Sequence, residues 1–227
     1  MTIMARTTGP RKIVWGILLL LIFVGLRYFR EYRKDFPSTS SKTPLEEVES
    51  HTTQTNGWTI HRNCTLVSHP HNDGDSFRVK LPDGSEWDFR LYFVDTPESQ
   101  FKRYRDGNTN GKRIGEQARY FNNLSSERAV EVGKSAKEFT LELLVLNHFD
   151  VITKNEAVYD SDRYYAHIEL NYQAQRQRLD ELLVKQGLAR IYTKGEDLAD
   201  GTSMEQHRDR LRKIEAEAKQ QKLGAWK

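Results

Sequence analysis

The chain has 227 residues, room for one ordinary domain with a tail and too few for two full domains. Hydrophobic residues make up 37% and charged residues 30%, which excludes a disordered chain and a polytopic membrane protein, and the single Cys64 excludes a disulfide framework or a multi-cysteine metal site. Formal charge is +3, but residues 1–50 carry 8 basic and 5 acidic side chains and the remainder 27 of each, so the folded part has no overall basic footprint.

Residues 1–12 are a short basic N-terminus with Arg6, Arg11 and Lys12. Ile13 to Leu26 is apolar throughout, short for a bilayer span, and is followed by Arg27, Tyr28 and Phe29 instead of a small-residue cleavage site. With Arg27 snorkelling and the two aromatic rings at the interface, residues 13–29 are expected to form a transmembrane signal-anchor helix. A cleaved signal peptide, releasing a secreted protein, is the competing reading, and a misassigned translation start is a third. Arg27, Arg30, Arg33 and Lys34 balance the basic residues before the segment, so the positive-inside rule leaves its orientation undecided. Residues 30–57, rich in Ser, Thr, Pro and Glu, are expected to be a flexible linker.

Residues 58–227 are expected to form the folded domain. Asp75, Phe77, Val79 and Leu81 alternate with Ser76, Arg78 and Lys80; Pro82-Asp83-Gly84 signals a turn; Trp87, Phe89, Leu91 and Phe93 resume the alternation. That pattern predicts a hairpin. Helices are expected over 114–122 and 126–146, the second with Phe139, Leu143 and Leu146 on one side. Strands follow near 150–154 and 163–170, then a helix over 179–186 ended by Gly187 as its C′ residue. Ser203 to Gln206 has the capping-box pattern, opening a last helix expected to run to Gly224. Short strands first, then strands and helices mixed, predict an α+β domain with a mainly β core: a small barrel with helices packed against it.

The chemistry concentrates in two segments, His71 to Val79 and Phe89 to Ser99. Asp75 starts one strand of the hairpin and Asp95 leaves the other, each on the apolar face of its strand, so an antiparallel pairing brings the two carboxylates to one mouth of the barrel. Facing carboxylates require a cation or a proton between them, and oxygen-only ligands select a hard cation such as calcium or magnesium. Thr96-Pro97-Glu98 adds a backbone carbonyl and a third carboxylate nearby. Singly these features are ordinary: an Asp-Gly-Asp is more often a turn than a ligand, and a strand arginine is usually solvated. Their order and spacing together are informative. His69 and His71 beside Asp73 raise a zinc reading, but no third ligand is apparent, and Cys64 is expected to be a small core residue.

Asp-Gly-Asp-Ser-Phe at 73–77, Phe-Arg-Leu at 89–91, Val-Asp-Thr-Pro-Glu at 94–98 and Leu-Val-Lys-Gln-Gly-Leu-Ala-Arg at 183–190 resemble the staphylococcal-nuclease (thermonuclease) family across nearly the whole folded part. The resemblance implies a five-stranded OB-fold barrel with packed helices, a fold that takes oligonucleotides. It also implies a calcium-dependent hydrolysis of DNA and RNA phosphodiesters, with single-stranded or locally unpaired regions favoured, 3′-phosphorylated products and low sequence selectivity. In that reading Asp75, Asp95 and the Thr96 carbonyl hold calcium, Glu98 activates or orients water, and Arg90 and Arg163 grip the phosphate. The alternative implied by the wider superfamily is a catalytically inactive OB-fold module that binds nucleic acid from a membrane tether.

Three departures bear on the transfer. Strict alternation puts Arg90 on the face opposite Asp95. Asp162 precedes Arg163 where the family usually has glycine. The stretch from Gln100 to about Ala129 is longer than usual and holds Lys102, Arg103, Arg105, Lys112 and Arg113 with Phe101 and Tyr104, either a clasp for a nucleic-acid strand or a solvated basic loop. Tyr192 is a candidate for stacking on a base, its alternative being the rim of the core. No obligate protein partner is indicated. A broad nuclease would meet the cell's own nucleic acid in the cytoplasm, and cytosolic calcium is low, so the domain is expected outside the cytoplasm, held by the anchor.

Overall fold

The alternation at 75–81 and 87–93 builds a hairpin in the computed structural model, which describes residues 51–159 and 161–227. The expected anchor at 13–29 lies outside the described residues, as do residues 30–50 of the expected linker. Among the described residues no helix is long and apolar enough to cross a membrane.

In chain order the strands are β1 (Thr52–Thr55), β2 (Trp58–Leu66), β3 (Ser76–Lys80), β4 (Glu86–Leu91), β5 (Val94–Asp95), β6 (Phe149–Thr153), β7 (Tyr164–Tyr172), β8 (Gln175–Arg178) and β9 (Arg190–Ile191). The helices are α1 (Gly111–Tyr120), α2 (Ser126–Leu146), α3 (Leu179–Lys185) and α4 (Met204–Gln220), with a 3₁₀ turn at Gly224–Trp226. Strands β2, β3, β4, β7 and β6 pair in that order, and β6 pairs back onto β2, closing a five-stranded barrel of OB type. Strand β1 pairs with β2 from Thr52 onward, so strand pairing begins inside the stretch read as linker.

Closure rests on an irregularity in β2. Its register against β6 shifts between His61 and Cys64, where Asn63 takes φ +59°, so the bent strand reaches β6 along one edge and β3 along the other. Inside, Phe77, Val79, Phe89, Leu91, Phe149, Val151, Ile168 and Leu170 are buried, as the period of two requires. Cys64 is wholly buried among them, and burial pushes its thiol up to about 12, which makes it an inert core residue.

Helix α2 occupies the residues expected of it, but its buried face runs through Ala129, Val132, Gly133, Ala136, Thr140, Leu143 and Leu144. Leu146, expected inward, is 72% exposed, because small side chains let the helix lie close to the motif loops and turn its last residue outward. Gly187 ends α3 with φ +66°, and the Ser203–Gln206 capping box opens α4. Helix α4 stops at Gln220, before the expected Gly224, which instead takes φ +52° at the start of the 3₁₀ turn.

Candidate functional site

Three backbone approaches bring the two motif segments together. Gly74 lies against Thr96: a Cβ at Gly74 would fall 2.8 Å from the Thr96 hydroxyl, so the Asp-Gly-Asp loop requires glycine there. From α2, the Thr140 hydroxyl donates to the Gly74 carbonyl at 2.8 Å. Leu91 N–H donates to the Asp75 carbonyl at 2.9 Å, and the hairpin register sets Ser76 opposite Arg90. Parallel pairing of β7 with β4 sets Tyr164 opposite Phe89, which carries Arg163, one residue earlier, to the mouth of the hairpin.

The alternation that separates Arg90 from Asp95 is broken by the chain itself. Strand β4 ends at Leu91, Phe93 takes φ +64°, and β5 leaves to pair with β9, Asp95 opposite Arg190. The turn re-aims Asp95 toward Arg90. The Arg90 guanidinium then spans both carboxylates, Nη2 to Asp95 Oδ1 at 2.6 Å and Nη1 to Asp75 Oδ1 at 3.3 Å.

Asp95 is wholly buried and fully engaged. Its Oδ1 accepts from Arg90 and from Arg113 Nη2, each at 2.6 Å, and its Oδ2 accepts from Arg190 Nε at 2.8 Å and Gln117 Nε2 at 2.9 Å. Burial alone would raise its pKa; Arg113, Arg90 and Arg190 outweigh burial and hold the carboxyl below its usual value. Asp75 accepts from the Ser76 hydroxyl at 2.8 Å and, on Oδ2, from the Thr96 N–H at 2.8 Å. Gln117 also ties the Thr96 carbonyl at 2.9 Å and accepts the Glu98 N–H at 3.0 Å. Glu98 accepts from Arg113 Nε at 2.7 Å and from the Asn110 amide at 3.1 Å.

Arg163 differs from the other arginines. Its Nη1 donates to the Ser76 hydroxyl at 3.0 Å and its Nε to the Ser161 hydroxyl at 3.4 Å, and among the described residues no carboxylate pairs with it. Burial, with Arg90 nearby, lowers its pKa from the usual arginine value. It lines a cleft of about 990 Å³ together with Asp75, Arg90, Thr96, Glu98 and Arg113.

Asp75, Asp95 and the Thr96 carbonyl offer oxygen only, and they converge: one guanidinium bridges the two carboxylates, and one amide bridges Asp95 Oδ2 and the Thr96 carbonyl. The set fits a divalent cation in chemistry and convergence once one donor withdraws from Asp95, since a carboxylate offers about four lone-pair directions and four are in use. Among the described residues no three His, Cys, Asp or Glu side chains gather to hold a metal, so His69 and His71, whose rings sit edge-on at 5.0 Å, find no third ligand.

The remaining sequence candidates divide. Lys102 lines the cleft with Tyr104, its Nζ 3.9 Å from Glu98. Arg103 pairs through its backbone with Thr109 in a small hairpin loop, and Arg105 lies exposed near the tip, neither on the cleft lining. Tyr192 is 60% exposed and lies outside the cleft lining, with the Arg190 guanidinium over its ring at 3.8 Å. Sequence reasoning gave no role at this site to Gln117, Arg190, Asn110 and Ser76, and read Arg113 as part of a basic clasp or solvated loop, whereas it bonds Asp95 and Glu98. Arg113 and Gln117 are four apart on α1 and therefore share a face, the one local signal available.

A barrel of this topology with acidic and arginine side chains at its mouth defines the class, and comparison gives the family. The family model of staphylococcal nuclease homologues matches residues 88–227, more than half of the chain, and the chain belongs to that family. The match spans Arg90, Asp95, Thr96, Glu98 and Arg163 and begins after Asp75. The chain is also similar to an uncharacterized protein of Methanocaldococcus jannaschii, 29% identical over 158 residues that cover 68% of this chain and 67% of the relative.

Proposed function

We propose that the protein is a calcium-dependent nuclease that hydrolyses phosphodiester bonds of DNA and RNA with little sequence selectivity. The observation that carries this reading is the convergence in one cleft of Asp75, Thr96, Glu98, Arg90 and Arg163, drawn from separate strands and loops, with Arg163 uncommitted to any carboxylate among the described residues. Asp75, Asp95 and the Thr96 carbonyl would hold calcium, which when bound supplies positive charge against the phosphate. Arg163 offers its planar fork to the phosphate oxygens, stays charged throughout, and among the described residues exchanges two hydroxyl partners to do so. Arg90 fixes Asp75 and Asp95 in place and adds a second guanidinium at the mouth. Glu98, held at the cleft wall by its backbone and by Asn110, takes the proton of the attacking water.

Lys102 and Tyr104 extend the cleft wall toward bound substrate, a charge and a ring suited to a single strand. A module that only bound nucleic acid would have no use for the buried carboxylate pair at the mouth. Digestion of plasmid DNA and of RNA by purified protein, with added calcium and then with excess chelator, tests the reading. Cleavage that stops in chelator and in Asp75→Ala is expected; full cleavage in chelator would overturn the calcium assignment.

The same reading places the domain outside the cytoplasm, tethered through residues 13–29. Support comes from the apolar run in the sequence and from the weak calcium affinity expected of an open site, about 0.1–1 mM, which suits extracellular calcium. Protease added to intact cells should remove the domain. Protection until lysis would reverse the topology, and release into the medium without its first 30 or so residues would replace the anchor with a cleaved signal peptide.

A further inference from the structure

We infer that Arg113 is the exchangeable cation of the site, the side chain that withdraws from Asp95 and Glu98 when a divalent cation binds, and thereby a built-in brake on calcium affinity. This rests on the calcium reading above and goes past it, because it assigns a function to a side chain of helix α1.

Each Asp95 oxygen already takes two protein donors, so a cation gains that carboxylate only by displacing one of them. Three of the four donors are guanidinium groups, and they differ in freedom. The Arg190 side chain is 4% exposed and its backbone is paired with Asp95 itself. Arg90 is 10% exposed and bonded to Asp75 as well. The fourth donor, Gln117, is wholly buried and bonded to three groups at once. Arg113 is 41% exposed, projects from the first turn of α1, and lines the open cleft. It alone has room to leave.

Its departure frees two carboxylates together. The guanidinium holds Asp95 Oδ1 through Nη2 at 2.6 Å and Glu98 Oε1 through Nε at 2.7 Å. While it stays, Glu98 Oε1 is capped and Asp95 has no open position. Calcium must break two charge-assisted hydrogen bonds to enter, so the free protein binds it more weakly than the bare oxygen set would. Once released, the guanidinium stands at the cleft wall, where the nearest new anion is the phosphate of a bound substrate. Calcium entry and exposure of Glu98 are thus one event, coupled through a single side chain.

Calorimetric titration of calcium into detergent-solubilised full-length chain, without nucleic acid, tests this. Arg113→Gln should tighten calcium binding by about tenfold or more, since charge-assisted bonds of this kind are the strong ones. Arg113→Lys, whose single ammonium cannot hold both carboxylates, should fall between it and wild type. Arg119→Gln, which removes the same charge from an exposed position on the same helix, should stay within about twofold. If wild type binds calcium and Arg113→Gln binds it equally or more weakly, Arg113 is no brake and the calcium reading stands without it. Equal tightening by Arg119→Gln would reduce the effect to net charge and overturn the assignment. If neither wild type nor Arg113→Gln binds calcium, the cation reading and this inference fall together. Should far-UV circular dichroism show Arg113→Gln unfolded, Arg113→Lys decides: no tightening overturns the proposal.

Discussion

Gly133, in the middle of α2, lies against the backbone of Glu98. A Cβ there would stand 2.5 Å from the Pro97 carbonyl oxygen and closer still to that of Glu98. The helix can approach the Thr96-Pro97-Glu98 loop only because this position has no side chain, and that approach sets where the Glu98 carboxylate lies. Gly133→Ala should therefore push the loop away, costing about 1–3 kcal/mol of stability and lowering kcat at least about tenfold through misplacement of Glu98. Gly115 on α1 is the control. A Cβ there meets nothing within 4 Å, so Gly115→Ala should leave activity intact and stabilise by about 0.5–1 kcal/mol. Urea denaturation and initial rates measure both, and equal behaviour of the two variants would refute the close-approach argument.

Arg163 and Arg90 separate catalysis from stability. Among the described residues the Arg163 guanidinium bonds to hydroxyls alone, so Arg163→Lys should leave stability within about 1 kcal/mol of wild type while kcat falls at least about tenfold, an ammonium being unable to reproduce the planar fork. Arg90 bridges two buried carboxylates, so Arg90→Lys should lose a similar factor in kcat and lower the melting temperature too. Steady-state kinetics beside thermal melts distinguish the cases. A rise in KM alone would make Arg163 a binding residue and nothing more.

The hairpin, the bounds of α2, the Gly187 stop and the capping box at Ser203 were legible because each is written in neighbouring residues: a period of two, a cap, a turn residue. Asp75 and Asp95 do share one guanidinium, as the hairpin reading expected, but Asp95 reaches it through the turn at Phe93 and not by the strand alternation. What decided Arg90 was not local. A bulky Phe93 at φ +64° carries no sequence signal, and the break it makes reverses the facing of everything after it. Arg113, Gln117 and Arg190 reach Asp95 from positions on α1 and β9 that are 18, 22 and 95 residues away along the chain, beyond the range of any local pattern. Ile114 and Ala118 fix how α1 sits, packing on Ala129 and Val130 of α2, and that docking turns Arg113 and Gln117 toward the site. A basic loop in the sequence thus becomes a wall of the cleft in the fold.

Asn110 is the post on which that wall hangs. Its side chain accepts the Lys102 N–H at 2.8 Å and donates to the Gln100 carbonyl at 2.9 Å and to Glu98 at 3.1 Å, all while itself buried. Asn110→Ala removes the side-chain partner of two part-buried backbone groups, the Lys102 N–H and the Gln100 carbonyl, a cost of about 1 kcal/mol. The expected result is local opening of the 100–109 loop, read as trypsin cleavage after Lys102, Arg103 or Arg105 at protease levels that spare the wild type. Unchanged cleavage would show that the backbone pairing of Lys102 and Arg103 holds the loop alone.

His167 sets an acid limit on stability. It lies in β7 with its ring stacked on Tyr92 at 5.0 Å and near Trp58 and Phe93, and neither ring nitrogen has a partner among the described residues. Burial lowers its pKa to about 4; Asp180 pulls it upward, Arg178 and His207 push it down, and Asp200 pulls weakly upward. An unfolded histidine titrates near 6.5. As pH falls below that value the unfolded chain takes up a proton that the folded chain refuses, so stability present in full near neutral pH is lost progressively until about pH 4. At pH 4.5 the loss from this residue is about 2–3 kcal/mol, from the spacing of the two pKa values. His167→Phe keeps the ring packing, removes the titration and relieves two unpartnered nitrogens. Its urea midpoint should match or exceed wild type at pH 7 and exceed it by a wider margin at pH 4.5. Parallel pH profiles for the two proteins would show that the acid sensitivity comes from elsewhere, the buried Asp180–His207 pair at 2.6 Å being the next place to look.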